Sequence, residues 1–147
     1  MKRCLFDTNV LVYALDEDSP YHAASARLIG QANQGELEAH ITQQVLLECF
    51  AVVTNPKRVA HPLSTSEALE LIQGHILDSP LRLLSARDEA LMLTWHLAES
   101  YQLIGSEVFD AYLVATALTH GILNVYSGDV LFARFKEITH VNPFKKV

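Results

Sequence analysis

Four acidic residues stand where acids are conspicuous or costly. Asp7 follows the apolar run Cys4-Leu5-Phe6, and Asp129 follows the stretch 122–126 through Ser127-Gly128, so both fall just past the carboxyl ends of candidate strands. Glu48 lies inside Val45-Leu46-Leu47-Glu48-Cys49-Phe50-Ala51-Val52-Val53, and Asp110 inside Val108-Phe109-Asp110-Ala111-Tyr112-Leu113-Val114-Ala115. Both stretches are apolar nearly all round a helix, so both carboxylates are expected to be largely buried. No Lys or Arg lies within a helical turn of either. A buried carboxylate without a cation partner is costly unless it is protonated. The plainer alternatives are an N-cap role for Asp7 and Asp129 and an incidental solvent-facing position for Glu48 and Asp110. The other acids read as solvated: Asp16, Glu17 and Asp18 in a polar turn, and Glu67, Glu70, Asp88, Glu89 and Glu99 on polar helix faces or at helix starts.

If the fold gathers the four into one pocket, each pair about 5 Å apart repels by roughly 3 kcal/mol at an effective dielectric near 20. Summed over the set this is on the order of 20 kcal/mol, above a domain's usual stability. The pocket must then take up protons or bind divalent metal. Oxygen-only ligands favour hard cations, Mg²⁺ or Mn²⁺, and such sites recur in enzymes that hydrolyse phosphodiesters. Glu107, three residues before Asp110, could share its helix face as an auxiliary acid or serve the helix dipole. Thr8 and Asn9 read equally as hydrogen-bonding support for the site or as the polar start of a helix. Candidates for gripping a phosphate backbone are Lys57, Arg58, Arg134 and Lys136, which read otherwise as solubilising surface charge. The seven histidines show no metal-ligand spacing. Trp95 reads as core or interface. Leu69, Leu71, Ile72, Ile76 and Leu77 form an apolar face that is either core or a groove for a partner.

The elements that must position these side chains follow from hydrophobic patterning and punctuation. The pattern predicts strands over 3–6, 38–41, 81–84, 122–126 and 139–141. It predicts helices over 8–15, 20–34, from Thr42 to about 55, from 64 or 65 to about 77, over 86–101 and 107–120, and a short one over 128–135. Pro20 suits a first turn, Thr42 an N-cap, and Ser64 with Glu67 a capping box. Pro56 and Gly121 close the helices before them. Strands alternating with helices predict an α/β fold with a parallel sheet covered on both faces. Ligands in such folds sit at the carboxyl ends of strands, near the switch in strand order.

Composition sets the outer limits. The chain has 147 residues, 50% of them hydrophobic and 19% charged, which suits a single domain over 1–147 and excludes disorder as its main state. No apolar run reaches the roughly 18 residues of a membrane span. Met1-Lys2-Arg3 leads into only a short apolar run, so no secretory signal is expected. Cys4 and Cys49, isolated in apolar surroundings, predict reduced buried thiols and a cytoplasmic setting. The net charge of −6, from 11 basic and 17 acidic residues, argues against a general nucleic-acid-binding surface. A nucleic-acid partner would need local basic patches or bound cations.

Leu5-Phe6-Asp7-Thr8-Asn9, Leu47-Glu48, Phe109-Asp110-Ala111-Tyr112-Leu113-Val114-Ala115-Thr116-Ala117 and Ser127-Gly128-Asp129-Val130-Leu131-Phe132 occur in that order, closed by Val141-Asn142-Pro143. Together, across essentially the whole chain, these motifs resemble the PIN-domain ribonucleases, in particular the toxin subunits of bacterial and archaeal type II toxin–antitoxin pairs. The resemblance implies a three-layer α/β/α sandwich with a mostly parallel central sheet and an acidic pocket binding Mg²⁺ or Mn²⁺. It implies endonucleolytic cleavage of RNA leaving a 5′-phosphate and a 3′-hydroxyl, frequent homodimers, and a cognate antitoxin as partner. By motif match the family's acids fall on Asp7, Glu48, Asp110 and Asp129, and Ser127 stands where such proteins often carry a hydroxyl near the metal. The last motif departs from the common Thr-x-Asp-x-Asp-Phe, because Val130-Leu131-Phe132 lacks the second acid. Two rival readings are an aspartyl-phosphate phosphatase, for which Asn9 stands where a second Asp is needed, and a PIN-like interaction module without activity.

Overall fold

A computed structural model describes residues 2–145; Met1, Lys146 and Val147, the ends of the expected 1–147 domain, lie outside the described residues. The elements run β1 (Lys2–Phe6), α1 (Thr8–Leu15), α2 (His22–Asn33), β2 (Leu37–Thr42), α3 (Gln43–Val53), α4 (Thr65–Ile72), β3 (Arg82–Leu84), α5 (Asp88–Ser100), α6 (Glu107–Thr119), β4 (Asn124–Tyr126) and β5 (Thr139–Val141). A π-helical turn, Gln73–Leu77, extends α4, and a 3₁₀ turn, Val130–Arg134, follows β4.

The five strands form one sheet in the order β3-β2-β1-β4-β5, and every neighbouring pair is parallel. The chain steps outward from β1 to β3, then returns past β1 to β4 and β5. The strand order therefore reverses beside the central β1, and the carboxyl ends of β1 and β4 flank the crevice where it does. Right-handed crossovers place α1 to α4 on one face and α5 with α6 on the other. The packing agrees: α1 lies against α2 and α3, α3 against α4, and α5 against α6. This is the expected three-layer α/β/α sandwich.

Covering both faces explains why β1 does not alternate. Cys4, Leu5 and Phe6 are all fully buried, as a central parallel strand requires. Fully burying a side chain such as Phe6 contributes about 2–3 kcal/mol, so the residue preceding Asp7 is firmly fixed. On the other face α6 buries Ala111, Val114, Ala115 and Ala117 completely. Helix starts follow local chemistry. The Thr42 hydroxyl accepts from the Val45 N–H at 3.1 Å. Ser64 and Glu67 form the reciprocal capping box ahead of α4. Gly121, at φ +71° just past α6, takes the left-handed conformation that ends the helix.

Several boundaries differ from expectation. The second helix starts at His22, with Pro20 in the turn before it. The segment over 128–135 tightens into the 3₁₀ turn, because the Asp129 side chain caps Leu131 and Phe132 must drop into the core. Ile72 and Ile76 of the apolar face after Ser64 are core, whereas Leu69 and Leu77 are exposed. Trp95 is exposed as well, so it is not core. Among the described residues no helix is long and apolar enough to cross a membrane.

Candidate active site

The crevice at the strand-order switch is an open cleft of about 550 Å³ lined by Asp7, Glu48, Asp110 and Asp129. Each comes from a different element: the β1–α1 junction, the middle of α3, the first turn of α6, and the turn after β4. The fold thus brings together the four acids singled out by sequence.

Asp7 is the N-cap of α1, and its position is fixed from both sides. Its N–H extends the sheet ladder to the Tyr126 carbonyl at 3.0 Å. Its Oδ1 accepts from the Thr8 N–H at 2.7 Å, and its Oδ2 accepts from the Ser127 hydroxyl at 2.7 Å. Ser127 is fully buried, and its Oγ also accepts the Asp129 N–H at 3.0 Å, so one hydroxyl links two of the acids. Asn9 ties the same turn together: its amide donates to Ser127 Oγ at 3.3 Å, and its carbonyl accepts the Gly128 N–H at 3.0 Å. Its side chain is thereby engaged in support of Asp7. Gly128 leaves room for Phe144 here, since a Cβ would come within 2.8 Å of that ring and would have to displace it. Asp129 in turn caps Leu131 at 3.0 Å. The capping alternative and the site reading are therefore compatible, because each cap uses Oδ1.

Glu48 corrects an expectation: it is exposed, not buried. The side of α3 that carries it faces the open cleft, and neighbouring Leu47 is exposed too, so an apolar helix here is not a covered one. The carboxylate is instead held by hydrogen bonds, from Thr8 Oγ1 at 2.6 Å and from Gln44 Nε2 at 2.8 Å. Sequence reasoning misses Gln44, although its i, i+4 spacing to Glu48 is the kind of signal that finds such a partner. Asp16, expected in a solvated turn, also lines the cleft.

Burial raises Asp7 above the usual carboxylate range against the pull of its Ser127 and Thr8 hydrogen bonds, with the charges of Glu48 and Asp129 adding to the rise. Asp110 is pushed up to about 7, chiefly by burial and then by the charges of Asp129 and Asp7; Arg134 opposes the shift. Asp7 and Asp110 are thus harder to ionise both because they are buried and because they share the cleft with other carboxylates.

As the side chains stand, no three His, Cys, Asp or Glu among the described residues are gathered tightly enough to hold a metal ion. The donor set nevertheless fits a hard dication: it is all oxygen, it converges on one cleft, and its charges are mutually destabilising.

The remaining candidates divide. Arg58 lines the cleft; Lys57 and Lys136 are exposed outside its lining. Glu107 does not line it. Its carboxylate accepts from the Ile104 N–H at 2.8 Å and from Arg134 at 3.1 Å, and these two partners hold it below its usual range. Arg134 is correspondingly committed: Nη1 donates to Glu107, and Nε and Nη2 are buried with no partner among the described residues.

Because Ser127 supports Asp7 and Asp129 at once, a Mn²⁺ ion held by these acids would bind about 10- to 100-fold more weakly in Ser127→Ala, as loss of such supporting partners does elsewhere. Calorimetric titration of Mn²⁺ into both proteins checks this; equal affinities would show that the hydroxyl does not set the site.

A PIN-domain family model matches residues 4–138. The chain is 31% identical over 116 residues to ribonuclease VapC24 of Mycobacterium tuberculosis, covering 79% of each protein. It is 30% identical over 139 residues to ribonuclease VapC48 of the same organism, covering 95% of this chain and 96% of the other. Among solved structures, VapBC2 from Rickettsia felis, bound to a DNA fragment from its promoter, superposes with a TM-score of 0.68 at 17% identity, over 95% of this chain and 98% of that one. VapC20 of M. tuberculosis, described as a sarcin–ricin-loop-cleaving toxin, gives 0.67 at 17% identity, over 92% and 98%.

Proposed function

The chain belongs to the PIN-domain family, and from that premise we propose that it is an endoribonuclease, the toxin of a toxin–antitoxin pair, dependent on Mg²⁺ or Mn²⁺. One observation carries the reading: four carboxylates from four separate elements line one cleft at the switch in strand order.

Asp7, Asp110, Asp129 and Glu48 would hold the cation. When bound, it lowers the pKa of water towards neutrality and offsets negative charge on phosphate oxygens. The chain's own contribution is orientation. Ser127 and Asn9 set the Asp7 carboxylate, Thr8 and Gln44 set Glu48, and the turn after β4 sets Asp129. No histidine lines the cleft, so proton removal from the attacking water falls to a carboxylate or to solvent. Arg58, in the cleft wall, is the cation best placed to meet a phosphate of the bound strand. With a net charge of −6, the protein as a whole does not attract RNA, so local cations such as Arg58 must do so.

Purified protein incubated with structured RNAs is expected to cut them in Mn²⁺ and to be silent in excess EDTA. Undiminished cleavage in EDTA would remove metal from the scheme, and no cleavage in either would remove the activity.

A cognate antitoxin, homodimerisation and a cytoplasmic setting complete the proposal. Buried free Cys4 and Cys49 suit a reducing compartment. The dimer reading rests on α5, where Leu91, Met92 and Trp95 are about half exposed or more on one helix. Trp95→Glu is expected to convert a dimer to monomer, read by sedimentation velocity. A wild-type protein that sediments as a monomer would sink that assignment.

A further inference from the structure

The cleft has a second wall that the hydrolytic chemistry does not use. Beside the carboxylates it is lined by Val12, Tyr13, Ala51, Val52 and Val59, with Arg58 among them. A cation and its water need no apolar surface, and a volume near 550 Å³ lies in the range of pockets that take small organic groups. Tyr13 is also one corner of a cluster of three rings. Its centroid lies 5.1 Å from that of Tyr21 and 5.0 Å from that of Phe144, and Tyr21 and Phe144 are 5.2 Å apart. Phe144 packs on Gly128, in the turn that carries Asp129, so the cluster is anchored directly to the catalytic turn. Tyr21 is the outermost ring and is 41% exposed.

We propose that this aromatic wall is a base-stacking subsite, taking an unpaired nucleotide next to the phosphate that is cut, with Arg58 on the adjoining phosphate. The inference rests on the ribonuclease reading and assigns the residues of this chain that would hold a base beside the cut phosphate. Every base has a flat face that an aromatic ring can stack on, but a base is free to do so only when unpaired. A duplex keeps its bases inside and would leave the Tyr21 and Tyr13 rings unused. The wall also explains how a protein with excess negative charge holds RNA, because stacking is attractive whatever the protein's net charge. A docked protein segment is the competing occupant. Tyr13 lines the cleft beside the four carboxylates and the guanidinium of Arg58, and Tyr21 and Phe144 pack on it, an arrangement that favours a nucleotide.

The test uses a labelled single-stranded RNA of about ten nucleotides and the same strand annealed to its complement. Binding is read by fluorescence anisotropy in Ca²⁺, which prefers the same oxygen donors, and cleavage in Mn²⁺. Tyr21→Ala is expected to weaken single-strand binding and raise KM about tenfold, the usual scale for a lost stacking ring. Its Mn²⁺ affinity is expected to stay at the wild-type value, and Tyr21→Phe, which keeps the ring, to behave as wild type. Duplex binding is expected to be weak and indifferent to either change. If the wild-type protein cleaves RNA and Tyr21→Ala binds the single strand equally well, the subsite falls, the rings belong to packing or to a protein partner, and the nuclease reading stands. If Tyr21 governs single-strand binding but nothing is cut, the subsite stands and the activity falls. If the wild-type protein neither binds nor cuts the strand, both fall.

Discussion

Asp7→Asn is expected to cost about 10²- to 10³-fold or more in RNA cleavage, on the scale of removing one preorganised charged or polar group from a reaction centre. The substitution keeps one of the two contacts that fix this side chain and turns the other into an amide NH₂ facing the Ser127 hydroxyl. Asn keeps an oxygen that can accept the Thr8 N–H, so the cap of α1 survives. What it removes is a buried negative charge that the fold disfavours, since Asp7 is already raised by burial and by Glu48 and Asp129. Its melting temperature without metal is therefore expected to match or exceed that of the wild-type protein. Cleavage assays and thermal melts on the same preparation separate the two effects. A variant that loses activity together with stability would place Asp7 in the architecture instead of the chemistry, and a fully active one would dismiss it as a ligand.

The second large effect concerns pH. Asp110 titrates near 7 in the folded chain against an ordinary 3.8, so between those values the folded state holds a proton that the unfolded state has released. Stability then falls as pH rises through that window, because a group whose folded pKa is raised favours the native state only while protonated. Without metal the protein is expected to melt higher at pH 5 than at pH 8, by an amount on the order of 2 kcal/mol from Asp110 once solvent access is allowed for. Mn²⁺ should reverse the trend, stabilising most at pH 8, where the carboxylates are ionised and free to bind it. Asp110→Asn should flatten the slope to the part that Asp7, also raised by burial, contributes, and should weaken the Mn²⁺ effect while leaving the metal-free protein more stable at pH 8. Melting curves across pH, with and without Mn²⁺, read all of this. A metal-free protein that is more stable at pH 8 than at pH 5 would contradict the electrostatics of the cleft.

Much of this arrangement is legible in the chain. Thr8–Leu15 as α1, Thr42 as the cap of α3 and the Ser64–Glu67 box follow from local rules of capping and period, and local rules do not depend on tertiary context. The positions of Asp7 and Asp129 follow from the same source, since each falls just past the carboxyl end of an apolar strand. The apolar character of α3 nearly all round predicts a buried Glu48, whereas the structure exposes it. Sequence pattern records affinity for a nonpolar neighbour, not whether that neighbour belongs to the same chain, and the exposed Leu47 beside it shows the gap. The link between Glu107 and Arg134 spans 27 residues, and the ring cluster joins Tyr13, Tyr21 and Phe144 from opposite ends of the chain. No window along the sequence holds such pairs together; only the return of the chain to β4 and β5 does.

That return has a consequence for how the protein is made. β1 leaves the ribosome first, yet the hydroxyl that orients its terminal aspartate is carried 120 residues later, beyond β4. A polypeptide interrupted in synthesis before β4 has three of the four acids and neither the turn nor the strand that completes the crevice. Long-range pairing of this kind is formed late in folding. A chain built in this order has no complete four-acid cleft until the turn after β4 has emerged.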